Sequence, residues 1–231
     1  MTPKPLNSKG ETAAAIVKGV VSAIPFVGGV VSEVGNLYFN PLEKRKQRWM
    51  NEVTLAIDEI DRSFGILPEQ LENNERFVSF LFQTTILALK HHQKEKINSL
   101  RYALISSSNP NGIEEDVAFQ FLRYVDELTP SHLHLLACFN KHIGQFARFE
   151  NLEQVYGKFS ELSSLQTDRT TFRSFLHDLD ARFLIRIGDL EDLPEFASKN
   201  SFMLAEPSST KQLEVTSLGQ AFLNFIHFAS D

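Results

Sequence analysis

The chain has 231 residues, 42% of them hydrophobic and 23% charged, with one cysteine and a formal net charge of −6. That is an ordinary globular composition with enough apolar residues for a real core. The lone Cys138 excludes an internal disulfide framework and fits a reducing, cytoplasmic setting. No block of the chain is basic enough to displace phosphate counterions, which argues against nucleic acid as a partner.

The first element is AAAIVKGVVSAIPFVGGVVSEVG, residues 13–35. Ile16, Val20, Ile24, Val27, Val31 and Val34 recur at three-or-four spacing, the stripe of a helix. Pro25 removes a backbone donor and kinks or restarts that helix, and Gly28 and Gly29 each weaken it by about 1 kcal/mol relative to alanine. Against a secretory signal stand Lys18 inside the apolar region and the lack of an A-x-A cleavage site. Gly19 to Ser32 is fourteen residues without charge, whereas a spanning helix needs about 20. Such a length suits a buried core helix, or an interfacial or re-entrant segment that joins others in an assembly. Small residues four apart, Ala15, Gly19 and Ala23 and then Gly28 and Ser32, let helix backbones approach closely in either setting. The candidate membrane or self-association residues are Ile16, Gly19, Val20, Ile24, Pro25, Phe26, Val27, Gly28, Gly29, Val31 and Val34. Burial in the protein's own core is the competing reading.

Residues 41–128 read as a helical bundle. Asn40, Pro41 and Glu43 supply the N-cap, first-turn proline and third-position acid of a helix start. Met50, Val53, Ile57, Ile60 and Phe64 give that helix one apolar face. Lys44, Arg45, Lys46 and Arg48 crowd its first turns, a cluster suited to anionic headgroups or to a solvated helix face. RFVSFLFQTTILALKHH is apolar almost all round, which predicts a central helix. Ile97, Leu100 and Leu104 restore a one-sided stripe, NPNG at 109–112 is a turn, and Glu114, Glu115 and Asp116 suit the positive end of another helix.

Residues 129–231 change character. Thr129 and Pro130 open a helix, with further helices near Leu152 to Leu162 and Arg169 to Arg182. Short strands around Leu184 to Ile187 and Leu213 to Thr216 bracket a polar excursion before a closing helix. Three helices, a strand, a wing and a returning strand is the order of a winged helix, a helix-turn-helix variant. The fold class expected is therefore mainly α: an apolar glycine-rich segment 1–40, a bundle 41–128 and a winged-helix-like α plus small β domain 129–231.

Catalytic and metal templates are absent from the sequence: no glycine-rich phosphate loop, G-x-S-x-G, H-E-x-x-H or paired cysteines. No enzyme, cofactor or metal is expected. His132 and His134 point to different sides of a helix, His91 and His92 close one where the dipole favours them, and Cys138 reads as a buried inert thiol. Asp189, Glu191, Asp192 and Glu195 make the expected wing acidic, which opposes the phosphate contact of a DNA-binding wing. Arg169 and Arg173 share the third helix with Asp178 and Asp180, so that surface is mixed.

Taken together, IPFVGGVVSEVG, NPLEKR, HHQKEKINSLRYAL, ELTPSHLHLL and VTSLGQAFLNFI resemble small bacterial helical proteins of the abortive-infection alpha type and neighbouring uncharacterised families. The resemblance implies a non-enzymatic antiphage or stress-response protein. Its apolar N-terminus would be the membrane-active or self-associating part, acting from the cytoplasm on the inner membrane, with self-association or a protein partner. The alternative is a soluble adaptor whose acidic winged-helix-like domain binds protein.

Overall fold

A computed structural model describes residues 41–146, 149, 151–187 and 213–228, with the backbone of Asn40 and the isolated helical positions Ala15 and Gly19. The described residues are mainly helical, with one two-stranded sheet. They divide into two compact units, one comprising Met1–Glu127 with Phe225–His227, the other Leu128–Asn224 with Phe228–Asp231.

In the first unit, α1 (Asn40–Phe64), α2 (Pro68–Glu72), α3 (Glu75–Lys90), α4 (Lys94–Ser107) and α5 (Glu115–Glu127) pack around one core. The middle of the α1 stripe is inside, with Val53, Ile57 and Ile60 fully buried, while Met50 and Phe64 at its ends are half-buried. Trp49, which the stripe did not include, is buried too, and its indole N–H donates to Thr85 Oγ1 at 2.9 Å. The Phe225 ring meets Phe121 at 5.5 Å and Phe80 at 6.2 Å.

The stretch over residues 76–92, apolar almost all round in sequence, makes up most of α3, which contacts α1, α2, α4 and α5 but keeps one side open. Ser79 and Gln83 are exposed, and Ile86 is 39% exposed. Two threonines are buried in their stead. Thr84 donates its hydroxyl to the Phe80 and Leu81 carbonyls and Thr85 to the Leu81 carbonyl, so each satisfies its polar atom on its own helix.

In the second unit, α6 (Pro130–Lys141), a 3-10 turn (Ile143–Gln145), α7 (Leu152–Leu162) and α8 (Arg169–Ala181) precede the antiparallel pair β1 (Ile185–Ile187) and β2 (Leu213–Val215). The register places Ile185 opposite Val215 and Ile187 opposite Leu213. Helix α9 (Ser217–Phe225) follows. Asp168 caps α8 by accepting the Thr170 and Thr171 N–H groups, and the core collects Leu136, Phe139, Phe159, Phe172, Leu176 and Phe222. His132 faces Asp178 Oδ2 through Nε2 at 3.2 Å and accepts the Thr129 N–H at Nδ1.

Helix α8 ends in a Schellman motif. Leu184 N–H donates to the Leu179 carbonyl, Phe183 N–H donates to the Asp180 carbonyl, and Phe183 lies between them at φ 56°. A phenylalanine there carries a left-handed penalty that glycine escapes, and its ring, 75% exposed, contributes little packing. Phe183→Gly is expected to raise stability by roughly 0.5–1 kcal/mol in urea titration. A loss would show that the ring is held by contacts.

Candidate functional site

The first turns of α1 place cations where their own helix dipole disfavours them. Residues 43–48 carry four basic groups and one acid, and residues 90–96, at the junction of α3 and α4, carry three basic groups, one acid and two histidines. The fold brings these two stretches together. Arg45 donates to the Leu89 and Lys90 carbonyls at 3.1 and 3.2 Å, and Arg48 to the His92 carbonyl at 3.4 Å. The Leu89 and Lys90 carbonyls belong to the last turn of α3, which lacks intrahelical donors, and that of His92 to the linker that follows, so cations misplaced on one helix stabilise the end of another.

Around this junction Lys44, Arg48, Lys90, His92 and Lys94 are exposed, Arg45 and Lys46 are half-buried, and Lys96 is buried at 4% exposure. Lys46 leans 3.8 Å from Glu43. Lys96 sends its ammonium to the Asp126 backbone carbonyl at 2.7 Å, near the C-terminal end of α5. The Asp126 carboxylate accepts from Lys90 Nζ at 2.6 Å and meets His91 Nε2 at 2.8 Å. Even with Asp126 counted, basic groups outnumber acids in the patch, in a chain whose net charge is negative.

Burial pushes the Lys96 ammonium below its ordinary value, with Asp126 opposing. His91 is likewise lowered, by burial first, against the raising effect of its hydrogen bond to Asp126. For Asp126, burial raises the carboxyl, but its hydrogen bonds and charge attraction to Lys90 and His91 together bring it below the ordinary value. A neutral His91 donates through Nε2–H to the carboxylate.

The sign for stability follows. A histidine held below 6.5 in the fold binds protons better when unfolded, so its contribution is complete above about pH 6.5 and is lost as pH falls through the folded value. Asp126 adds a second loss below about pH 3.8. Urea midpoints of the first unit, read by Trp49 fluorescence, are expected to fall with acid in two steps, and His91→Gln should flatten the first.

The second unit holds a cavity of about 210 Å³, lined by His134, Cys138 and His142 at four-residue steps along α6 and its cap, with Leu162, Ser163, Ser164 and Leu165 opposite. Sequence reasoning paired His132 with His134 and missed this trio, although its i, i+4, i+8 spacing was visible. Burial pushes the Cys138 thiol up, which keeps it protonated and a poor nucleophile. Among the described residues no group of three or more His, Cys, Asp or Glu side chains is placed to hold a metal ion.

Of the N-terminal candidates, Gly19 is helical and exposed with open space where a side chain would project, and Ala15 is also helical and exposed. Ile16, Val20, Ile24, Pro25, Phe26, Val27, Gly28, Gly29, Val31 and Val34 lie outside the described residues, as do Asp189, Glu191, Asp192 and Glu195. Among the described residues no helix is long and apolar enough to cross a membrane. No protein-family model matches the chain, nor does any curated protein or solved structure.

Proposed function

We propose that this chain is a non-enzymatic bacterial effector that acts at an anionic membrane surface, its apolar segment 13–39 supplying the membrane-active or self-associating part. The antiphage or stress-response setting rests on the sequence resemblance. The observation that carries the membrane reading is the patch. Arg45 and Arg48 join residues 44–48 to residues 89–92, so two basic stretches make one surface at the start of α1, immediately after the apolar segment. Basic residues near an anionic leaflet contribute about 1 kcal/mol each.

Cosedimentation with phosphatidylglycerol vesicles tests this. Binding should weaken with salt, be absent on phosphatidylcholine, and drop about fivefold or more with each of Lys44→Glu and Lys94→Glu. Dye leakage, compared with a folded Gly28→Arg variant, then separates membrane action from adsorption. Absence of leakage together with unimpaired growth on induced expression removes the effector reading.

A second reading, a protein-binding adaptor, is supported by α8. Arg169 pairs with Glu153 at 3.1 Å, and Arg182, just past the helix, contacts Asp178 and its carbonyl, so arginines at both ends of a winged-helix-like third helix are already engaged. Such a helix suits protein better than phosphate. Duplex binding at physiological salt in a shift assay contradicts it.

A further inference from the structure

We infer that attachment of the basic patch to an anionic surface is coupled to uptake of a proton by His91, an inference that rests on the membrane reading above. The groups facing this imidazole come from three elements. Lys90 precedes it at the end of α3, Lys96 approaches from α4, and Asp126 approaches from α5 with its carboxylate 2.8 Å from Nε2. From α1, Arg45 and Arg48 hold the carbonyls of Leu89, Lys90 and His92 on either side of it in sequence.

Asp126 is the carboxylate in contact with His91, and it already holds the Lys90 ammonium at 2.6 Å. The His91 side chain is 12% exposed. A proton on His91 therefore adds a cation to a cluster whose carboxylate is already shared, which disfavours it in the free protein. A layer of anionic headgroups against Lys44, Arg48, Lys90 and Lys94 lies within about one Debye length and reverses that balance. Linkage is reciprocal: if the surface favours the proton, the proton favours the surface by the same factor. His92, exposed beside it, is a neighbouring imidazole without the Asp126 contact and serves as the internal control.

The experiment measures affinity for phosphatidylglycerol vesicles, whose phosphate stays charged, at about pH 7.5 and about pH 5.5, either side of the ordinary imidazole value. The wild-type protein should bind about fivefold or more tighter at the lower pH. His91→Gln should lose most of that gain, while His92→Gln should keep most of it. His91→Lys, carrying a permanent charge, should bind at the higher pH as the wild type does at the lower. Intact Trp49 fluorescence confirms that each variant is folded.

An unchanged pH gain in His91→Gln, or pH-independent binding by the wild type, overturns the coupling and leaves the membrane reading in place. Failure to bind these vesicles at both pH values overturns both.

Discussion

Replacing Gly219 with alanine is expected to destabilise the second unit by about 3 kcal/mol or more. In an open helical position the same change stabilises by up to about 1 kcal/mol, because glycine surrenders more backbone entropy. Here the sign reverses. A Cβ on Gly219 would overlap the Leu184 carbonyl oxygen, well inside contact distance, and stand 3.1 Å from Val215 Cγ1. That carbonyl cannot easily retreat, since it accepts the Thr216 N–H at 3.1 Å, and the Thr216 hydroxyl gives its proton chiefly to the adjoining Phe183 carbonyl at 2.6 Å. The same hydroxyl receives the Gly219 N–H at 3.0 Å, so α9 and the start of β1 are tied through one threonine. Hydrogen exchange over residues 184–187 and 213–225 should accelerate in the variant. Gly157→Ala in α7, where nothing stands within 4 Å of the added carbon, is the matched control and should gain up to about 1 kcal/mol. A neutral Gly219→Ala would mean that α9 can move away from β1 freely.

Trp49→Ala is expected to cost the first unit about 3–5 kcal/mol, the range for emptying a large aromatic site. The indole is 1% exposed, and its N–H is satisfied by Thr85 Oγ1, whose own proton goes to the Leu81 carbonyl at 2.7 Å. Removing the ring therefore leaves no buried donor unpaired, and the loss is one of packing and cavity. Thr85→Val is the converse test. It keeps the volume but strands the indole N–H, for about 1–3 kcal/mol. Circular dichroism in urea measures the first variant and tryptophan fluorescence the second. Equal, small effects in both would show that this corner of the core repacks around the loss.

Much of the secondary structure was legible in the sequence because each element carries a local signal. The three-and-four spacing of Val53, Ile57 and Ile60 chose a buried face, Thr129 and Pro130 marked the start of α6, and the short runs at 184–187 and 213–216 found both strands. Trp49 was not legible, since it sits in a run of basic residues and off the stripe that begins at Met50. The exposed side of α3 was not legible, because exposed Ser79 and Gln83 and buried Thr84 and Thr85 are all polar, and only the fold decides which of them are covered. Of the candidate site, half was readable. Lys44, Arg45, Lys46 and Arg48 announce themselves as a cluster, whereas Lys90, His91, Lys96 and Asp126 belong to it only by folding.

By itself the sequence determined that this protein is mainly helical, where several of its helices begin and which residues are apolar enough to be covered, because hydrophobic period and capping act over a few residues. Only the tertiary structure decided that Arg45 and Arg48 serve the far end of α3, 44 or more positions away, and that Asp126 holds Lys90 and His91. Those pairings depend on which helix ends lie side by side. Electrostatic and hydrogen-bond partners are chosen by distance in space, and spacing along a chain carries no record of that distance.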